Sequence, residues 1–595
     1  MLKSCIRIID EKPTLFVDDS PVAAMAYTTY FEERSCCKDF IKAGYRIFFV
    51  NASFTTAPIN SKSGFSPFEI GIFEDRENPD YSELDNAIYK ILDICSDAII
   101  FPRINISMPK WWVNSNPTEV TMTQNAGPRE ALFSEKFRSD ATKMLSDTVN
   151  HVKKQSYAPR IGGWQICGGM TQEWFHHDLN GSLGEAAKNP YKKWLKENFN
   201  ADNASLPSET DFVFTDCCEQ TNENAKRYSY FSDEEVAKSI DLFAKTIKEE
   251  TDFEQIVGTF YGYTFEGTTP LFGSHALRKI IDSPNIDFFS SPNAYTNSRA
   301  FGMDWADMMP VDSLKLHKKL PFIECDIRTY LTTGVQEARP GKYPDDIYKT
   351  KGKSLWAGPP TPKLSREALR KSFAHQLTKN SAIWWFDMWG KWYDDPLLMK
   401  DIQKYIEIYN EDLTNSNASS SAEVVFFADE KSWANMLKSS PQLNAIKNTR
   451  TAMGNAGAPY DIYMVEDAEK VLSNYKAAVF PFSLPSEEGK KAQELCDRLH
   501  IPYLKATPDH CELTAKDIRF FYESKKIHLF CKLNEVIYFG NGYVALHSKK
   551  AGLKSIKLDK NYNITPVFGA KTKTKNADKI TFFLKKCGTA LFKIS

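Results

Sequence analysis

No stretch of this sequence reaches the roughly 18 apolar residues that a membrane-spanning helix needs. Neither charge is in surplus, with 75 Lys+Arg against 76 Asp+Glu. That balance removes the electrostatic case for a nucleic-acid partner or an anionic membrane surface. The sequence has no CxxC, HxxxH or HExxH pattern, so neither a metal site nor a cofactor is expected. His176 and His177 are expected to face solvent, and the ligand-type residues of TDCCEQ, Asp216–Gln220, lack metal-finger spacing. The 12 cysteines are scattered, apart from the adjacent pairs Cys36, Cys37 and Cys217, Cys218, and read as reduced packing residues. The first residues, MLKSCIRIIDEKPTLF, carry no signal-peptide apolar run and no small-residue cleavage site, so the expected compartment is the cytoplasm.

What is present is a long chain of ordinary globular composition. Its 595 residues exceed one ordinary domain, while 42% apolar and 25% charged residues suit a packed core with a solvated surface. Residues 1–415 alternate short apolar runs with amphipathic stretches. Eight strands are predicted near Ala23–Thr28, Tyr45–Asn51, Ala98–Ile104, Gly162–Cys167, Gln255–Tyr261, Ile286–Ser291, Pro321–Asp326 and Ala382–Asp387. Between them, SELDNAIYKILDICSD places Leu84, Ile88, Ile91 and Leu92 on one helical face. SDEEVAKSIDLFAKTIKEE opens with Ser232 and Glu235 at capping-box spacing, and SREALRKSFAHQLTKN opens more weakly at Ser365. Eight strand–helix units argue α/β architecture closed into a (β/α)₈ barrel, whose chemistry sits at the C-terminal strand ends.

Beyond Asn410 the polar run EDLTNSNASSSAE reads as a linker. EVVFFAD, YDIYMVED, YKAAVFPF and IPYLKA, with a helix in SEEGKKAQELCDRL, predict a small flavodoxin-like α/β domain over 421–528. EVIYFGNGYVALHS, LKSIKLD, ITPVFG, KITFFLKK and TALFKIS predict a small antiparallel β domain, expected as a sandwich, over 529–595.

Two strand ends carry carboxylates. Glu173 follows the fourth strand in GGWQICGGMTQEWFHHD, and Glu324 lies in the seventh, LPFIECDIRTY. A carboxylate at an apolar strand end is costly unless it is paired or used. Cleaving a glycosidic bond needs two such groups, one to protonate the leaving oxygen and one to attack the sugar or activate water. One isolated Glu would more often be a structural ion-pair partner; two at these strand ends, amid aromatics, reverse that. The acid is expected to have a raised pKa and the nucleophile an ordinary or lowered one. Asp326 shares the strand face of Glu324 and is the reserve nucleophile. Arg103, at the end of the third strand, suits orienting a carboxylate, binding a sugar hydroxyl or capping a helix. Aromatic rings suited to sugar C–H faces follow four strands: Trp111 and Trp112, Tyr261 and Tyr263, Tyr295, and Trp384, Trp385, Trp389 and Trp392. Cys167 and Cys325, beside the two strand ends, read as packing residues.

RINISMPKWWVNSNP, YAPRIGGWQICGGMTQEW, NPYKKWLKENFN, KLPFIECDIRT and APYDIYMVEDAEKVLSNYKAAVFPF together resemble clan A glycoside hydrolases, and most closely the family 42 β-galactosidases. The resemblance implies Glu173 as acid/base, Glu324 as nucleophile, and a sugar site including Arg103, Trp111, Trp112, Gln172, Tyr261, Tyr295, Asp326, Arg328, Trp385 and Trp389. It also implies an oligosaccharide or glycoside substrate and a homotrimer built through the second domain. Gln172 stands where the clan usually has Asn, and GGMT separates strand from acid where the family runs more directly. A neighbouring family of the clan, with β-mannosidase, β-glucosidase or endo-β-glycanase activity, fits the same pattern, as does a non-catalytic carbohydrate-binding barrel.

Overall fold

The computed structural model describes the chain except residues 60–63, 124–126, 177–184, 202–204, 216–220, 268, 296–298, 344–356, 414–419 and 421. Cys217, Cys218, His177 and most of the expected linker lie outside the described residues. Eight parallel strands close a barrel: β1 (Met25–Thr28), β2 (Ile47–Ser53), β3 (Ile99–Asn105), β4 (Gly163–Cys167), β5 (Ile256–Thr259), β6 (Phe288–Pro292), β7 (Leu320–Cys325) and β8 (Ala382–Phe386), with β8 pairing β1. Each falls within or against a stretch predicted from apolar periodicity.

Strand alternation sorts the side chains into two shells. Ala26, Phe49, Phe101, Phe288, Phe322 and Trp384 pack together inside the barrel. Tyr27, Phe48, Ile100, Ile166, Ile323 and Trp385 face outward into a second core with the surrounding helices. The inner shell is apolar toward the N-terminal ends of the strands. Toward the C-terminal ends it changes to Asn51, Arg103, Gln165, Ser290 and Glu324, all buried. The aromatic interior leaves no spare volume. A Cβ on Gly258 would lie 2.1 Å from the Phe288 ring, and one on Gly163 would lie 2.9 Å from Ile256.

An N-terminal antiparallel hairpin, Ser4–Ile9 with Lys12–Val17, was not read in the sequence. It closes the lower end of the barrel: Leu15 and Val17 join the inner core, and the amide of Ile256 donates to Ser4 Oγ at 2.9 Å. Two helix starts also differ from expectation. The helix expected at Ser232 begins at Glu223, because Asn222 caps it by accepting from the Ala225 amide. The helix expected at Ser365 begins at Pro362, with Thr361 as its cap and proline in the first turn.

The second domain is a parallel sheet of β9 (Val424–Ala428), β10 (Asp461–Met464), β11 (Ala477–Phe480) and β12 (Tyr503–Lys505), in the order β10-β9-β11-β12. The third is one five-stranded antiparallel sheet, Val536–Gly540, Tyr543–Ser548, Gly552–Phe568, Thr574–Leu584 and Gly588–Ile594. LKSIKLD and ITPVFG, expected as separate strands, are one long strand that carries register shifts near Tyr562. Polar contacts lock the second domain to the barrel. Glu430 accepts from the Leu277 and Arg278 amides at 2.8 and 2.9 Å, and Trp433 donates to the Thr264 carbonyl at 2.8 Å. The ten described cysteines are unpaired, and eight of them are buried. Among the described residues no helix is long and apolar enough to cross a membrane.

Gly258→Ala forces a methyl into the Phe288 ring. It should cost about 1–3 kcal/mol, as overpacking of a filled core does, read as a lowered urea midpoint at unchanged slope.

Candidate active site

The polar upper layer of the barrel is organised around Arg103, which is 1% exposed. Its Nε donates to Gln165 Oε1 at 3.0 Å, and its Nη1 donates to Asn51 Oδ1 at 2.9 Å and to Gln172 Oε1 at 2.5 Å. These acceptors are fixed in turn. Asn51 Nδ2 donates to Thr28 Oγ1 at 3.0 Å, Gln165 Nε2 donates to Ser290 Oγ at 2.9 Å, and the Tyr30 hydroxyl donates to Gln172 Oε1 at 2.9 Å. Phe260 and Trp384 present ring faces to the guanidinium, each 5.3 Å from its carbon. Burial opposes the charge on Arg103, but Cys167, Tyr30 and Glu324 around it hold its pKa above the usual value.

Glu173 reaches this layer by a strained detour. After Gly168 the chain bulges outward and returns, so that Glu173 bridges back to Gly168 and Phe175 to Met170. Thr171, Gln172 and Trp174 hold φ of 58°, 76° and 61°, the left-handed region that non-glycine residues seldom occupy. The two glycines of GGMT are required here. A Cβ on Gly168 would lie 2.7 Å from the Trp174 ring, and one on Gly169, at φ 67°, would lie 2.9 Å from the Trp174 backbone. The extra residues that depart from the family pattern are thus absorbed in a loop that brings the carboxyl back to the strand end. Trp174 anchors the return by donating to Thr259 Oγ1 at 2.9 Å, and the Thr171 amide donates to the Ile59 carbonyl at 2.8 Å. The residue keeps some solvent contact, but its Oε2 is covered and has no hydrogen-bond partner. Burial pushes its pKa up to about 8, against the pull of Thr171 and Arg103. The Tyr263 hydroxyl lies 3.4 Å from Glu173 Oε1.

Glu324 is 3% exposed near the end of β7, opposite Trp384 of β8 in register. Its Oε2 is also covered and without a hydrogen-bond partner. Burial, then the negative charge of Asp326, raises its pKa well above the carboxylate range, against Arg103. An ordinary or lowered value had been expected. The correction is physical: the site sets a guanidinium near Glu324 but, among the described residues, leaves its covered Oε2 without a hydrogen-bond donor. Glu173 also raises the pKa of Glu324, and both act electrostatically on Tyr30 and Tyr263, so the two carboxyls share one neighbourhood at the top of the barrel.

The remaining predicted residues divide. Gln172 belongs to the cluster, and its Nε2 is buried without a partner. Asp326 is clamped by Arg299 Nη1 at 2.5 Å, by the Tyr295 hydroxyl at 2.8 Å and by Arg328. Burial works against its charge, but the two guanidiniums outweigh that and lower its pKa. Asp326, Tyr295 and Arg328 therefore form a wall beside Glu324, and the reserve nucleophile is spent in ion pairs. Trp389 packs 6.2 Å from the Tyr30 ring and supports it from behind. Four rings are corrected. Trp112 is buried with its indole on Asp140 Oδ2 at 2.7 Å, and Trp111 donates to the Phe73 carbonyl at 2.8 Å, because the short helix Lys110–Ser115 carries both away from the barrel axis. Tyr261 is buried in the outer core, accepting from the Ala276 amide at 3.1 Å. Trp385 points outward to the Tyr45 hydroxyl at 2.9 Å, and by alternation its neighbour Trp384 faces the site. His176, expected at the surface, is buried edge-on to Phe133, 5.0 Å between ring centroids.

Tyr30, Asn51, Gln165 and Ser290 were missed. Asn51 and Gln165 did leave a signal, as single polar residues interrupting FFVNAS and GWQIC.

The fold, a closed eight-stranded barrel followed by an α/β domain and an antiparallel β domain, is similar to that of solved GH42 β-galactosidases. Solved structures that share it include Gan42B, a GH42 β-galactosidase from G. stearothermophilus, at TM-score 0.62 and 10% identity over 100% of both chains. The β-galactosidase from Bacillus circulans sp. alkalophilus matches at TM-score 0.61 and 12% identity, covering 96% of this chain and 99% of that one. An exo-carrageenase GH42 from Bacteroides ovatus matches at TM-score 0.59 and 12% identity, covering 100% of this chain and 86% of that one. No family model and no curated protein matches the sequence.

The raised pKa of Glu173 has a consequence for stability. A carboxyl whose pKa is higher in the folded than in the unfolded chain contributes stability below about 4.5, and that contribution is lost as pH rises through about 8. Glu173→Gln should therefore raise the melting midpoint by a few degrees, and by more at pH 8.5 than at pH 5. An equal shift at both pH values would contradict a buried, proton-holding Glu173.

Proposed function

We propose that this protein is a retaining exo-β-glycosidase of β-galactosidase type. The observation that carries the reading is a pair of covered, unpartnered carboxyl oxygens, Glu173 Oε2 and Glu324 Oε2, beside the unpartnered Gln172 Nε2. Buried polar atoms are normally satisfied. Three orphans around one guanidinium suit a ligand that both donates and accepts hydrogen bonds, as a sugar does. The family 42 architecture and the β-galactosidase neighbours support the same reading.

In this mechanism Glu173 protonates the leaving oxygen while Glu324 attacks the anomeric carbon and forms a glycosyl-enzyme. Glu173 then takes a proton from water, which displaces Glu324, and two inversions give retention. Roles follow strand position: the acid succeeds β4 and the nucleophile sits on β7. Both carboxyls resist ionisation, so the pair holds a proton at neutral pH and Arg103 stabilises the charge that remains. Gln172, fixed through its oxygen by Arg103 and Tyr30, offers its amide nitrogen to a sugar hydroxyl. We extend the proposal to assembly, reading the α/β domain as the surface of a homotrimer; a monomeric mass by light scattering would remove that part.

The test is a panel of aryl β-galactosides, β-glucosides and β-mannosides, with the first-formed product anomer read by NMR. Turnover of the galactoside to the β-anomer is expected. Turnover of only another glycoside would relocate the sugar, an α-product would exclude retention, and binding without turnover on every member would favour a non-catalytic barrel. Glu324→Ala should lower kcat by at least about 10⁴-fold, the scale on which removing a covalent nucleophile acts; near-native turnover would exclude it. Because the acid must keep its proton, kcat/KM should fall as pH rises through about 8. Glu173→Gln should flatten that alkaline limb on an aryl substrate whose leaving group needs no proton.

A further inference from the structure

Charge balance over the whole chain conceals its segregation. Residues 529–595 hold 13 Lys and no Arg, against two Asp and one Glu. The rest of the chain carries the compensating acidic surplus. Among the described residues, Lys554 is the one lysine of this last domain that is paired with a carboxylate, Glu535 at 2.7 Å. All the others except Lys593 are exposed. A surface so one-sided repels itself and attracts anions.

Part of this charge is ordered on one sheet face. In the edge strand Thr574–Leu584, Ile580, Phe582 and Leu584 are buried while Lys579, Thr581 and Phe583 are exposed, and Lys585 continues the exposed series. The neighbouring strand Gly552–Phe568 sets Lys557 opposite Lys579, Ser555 opposite Thr581 and Leu553 opposite Phe583. Directly opposed like charges destabilise a sheet. Leu553 and Phe583 stay 72% and 64% exposed beside them. Cation, hydroxyl, ring and cation thus follow one line at intervals of about 7 Å. A groove of about 500 Å³ runs between this strand and the barrel helix Pro362–Lys379, within the size range of ligand sites. Phe583, Lys585 and Lys571 line it against Glu367 and Arg370. Glu367 is occupied: its Oε1 accepts from Arg370 Nη1 and its Oε2 from the Thr589 amide, each at 2.9 Å. Lys571 and Lys585 therefore leave the groove net positive.

The arrangement suits a linear polyanion more than a bilayer, because the apolar pair sits between the cations instead of forming a broad apolar face. Lysines without arginine meet anions as point charges and do not build the bidentate forks that read phosphate. One exposed ring matches a sugar face, whereas single-stranded nucleic acid is held by stacking successive bases on several aromatics. We propose that this face and groove hold a sulfated galactan, with sulfate esters on Lys571, Lys579 and Lys585 and a sugar ring on Phe583. The choice of a galactan rests on the β-galactosidase-type reading: a galactose chain has no carboxylate of its own, so its anionic form carries sulfate esters. The surface would then keep a charged chain bound to the enzyme while the barrel works on a chain end.

The experiment measures binding of the full chain to a soluble sulfated galactan, its desulfated form, polygalacturonate, a single-stranded oligonucleotide and phosphatidylserine vesicles. The same probes are offered to Phe583→Ala and to the double variant Lys579→Glu, Lys585→Glu, whose side chains are exposed and leave the core untouched. The sulfated galactan should bind more tightly than any other probe, at least tenfold more tightly than its desulfated form, and should weaken as salt rises from about 50 to 200 mM. The double variant should lose at least tenfold in affinity and Phe583→Ala at least threefold, with kcat/KM for p-nitrophenyl β-galactoside within twofold of native in both. Equal binding of the desulfated chain, tighter binding of the polyuronate, oligonucleotide or vesicles, or native affinity in both variants overturns the proposal and leaves the glycosidase reading intact. If no aryl glycoside is cleaved, the glycosidase reading fails by itself, and the binding comparison still decides the surface.

Discussion

The upper barrel depends on one buried guanidinium. Arg103 directs its hydrogen bonds to three amide oxygens and a phenol rather than to a carboxylate. A buried charge without direct ionic compensation is expensive. Here the cost is offset by neutral acceptors from β1–β2, β4 and the Glu173 loop, with the ring faces of Tyr30, Phe260 and Trp384 beside the guanidinium. Because each acceptor is itself pinned, Arg103 fixes the spacing of four strand ends at once. Its positive charge also lowers the pKa of both Glu173 and Glu324.

This arrangement is affordable because the lower barrel is filled so tightly. Phe49, Phe101, Phe288 and Phe322 make edge-to-face contacts at 5.2–5.5 Å across the interior, and the Phe288 ring occupies the space a side chain at Gly258 would need. A rigid apolar base below, sealed by the N-terminal hairpin, lets the upper layer carry unsatisfied polar atoms and a run of left-handed residues without collapsing. Strain in the Thr171–Trp174 segment is held by Trp174 and by the two glycines before it.

The sequence made the barrel strands legible because each is a short apolar run with a fixed period, and the period survives tertiary packing. It made the carboxyls legible because a Glu in or after such a run is conspicuous. It was poor at choosing among neighbours. Trp384 and Trp385 are indistinguishable by composition, and only the strand phase, set by the register with Glu324 and Ala26, decides which one faces inward. Trp111 and Trp112 misled for a related reason: following a strand does not mean staying over the barrel mouth when a helix begins five residues later. The helix starts at Asn222 and Thr361 were hidden by later serines with the same capping chemistry. The raised pKa of Glu324 was not legible at all, since it depends on which donors fail to reach it.

That last point separates the two halves of the site. Asp326 and Glu324 are two residues apart on one strand face, yet Asp326 is saturated by Arg299, Arg328 and Tyr295 while Glu324 is left open. Saturation makes Asp326 a structural anion that positions the wall and raises the cost of charge on its neighbour. Openness makes Glu324 the carboxylate that gains most when a partner enters. A group kept from ionising by its surroundings, and lacking a donor of its own, has reactivity to spend on a ligand. Glu173 Oε2 and Gln172 Nε2 are likewise covered and without a partner. The site is therefore defined as much by covered atoms left without partners, Glu173 Oε2, Glu324 Oε2 and Gln172 Nε2 among them, as by the residues that make contacts.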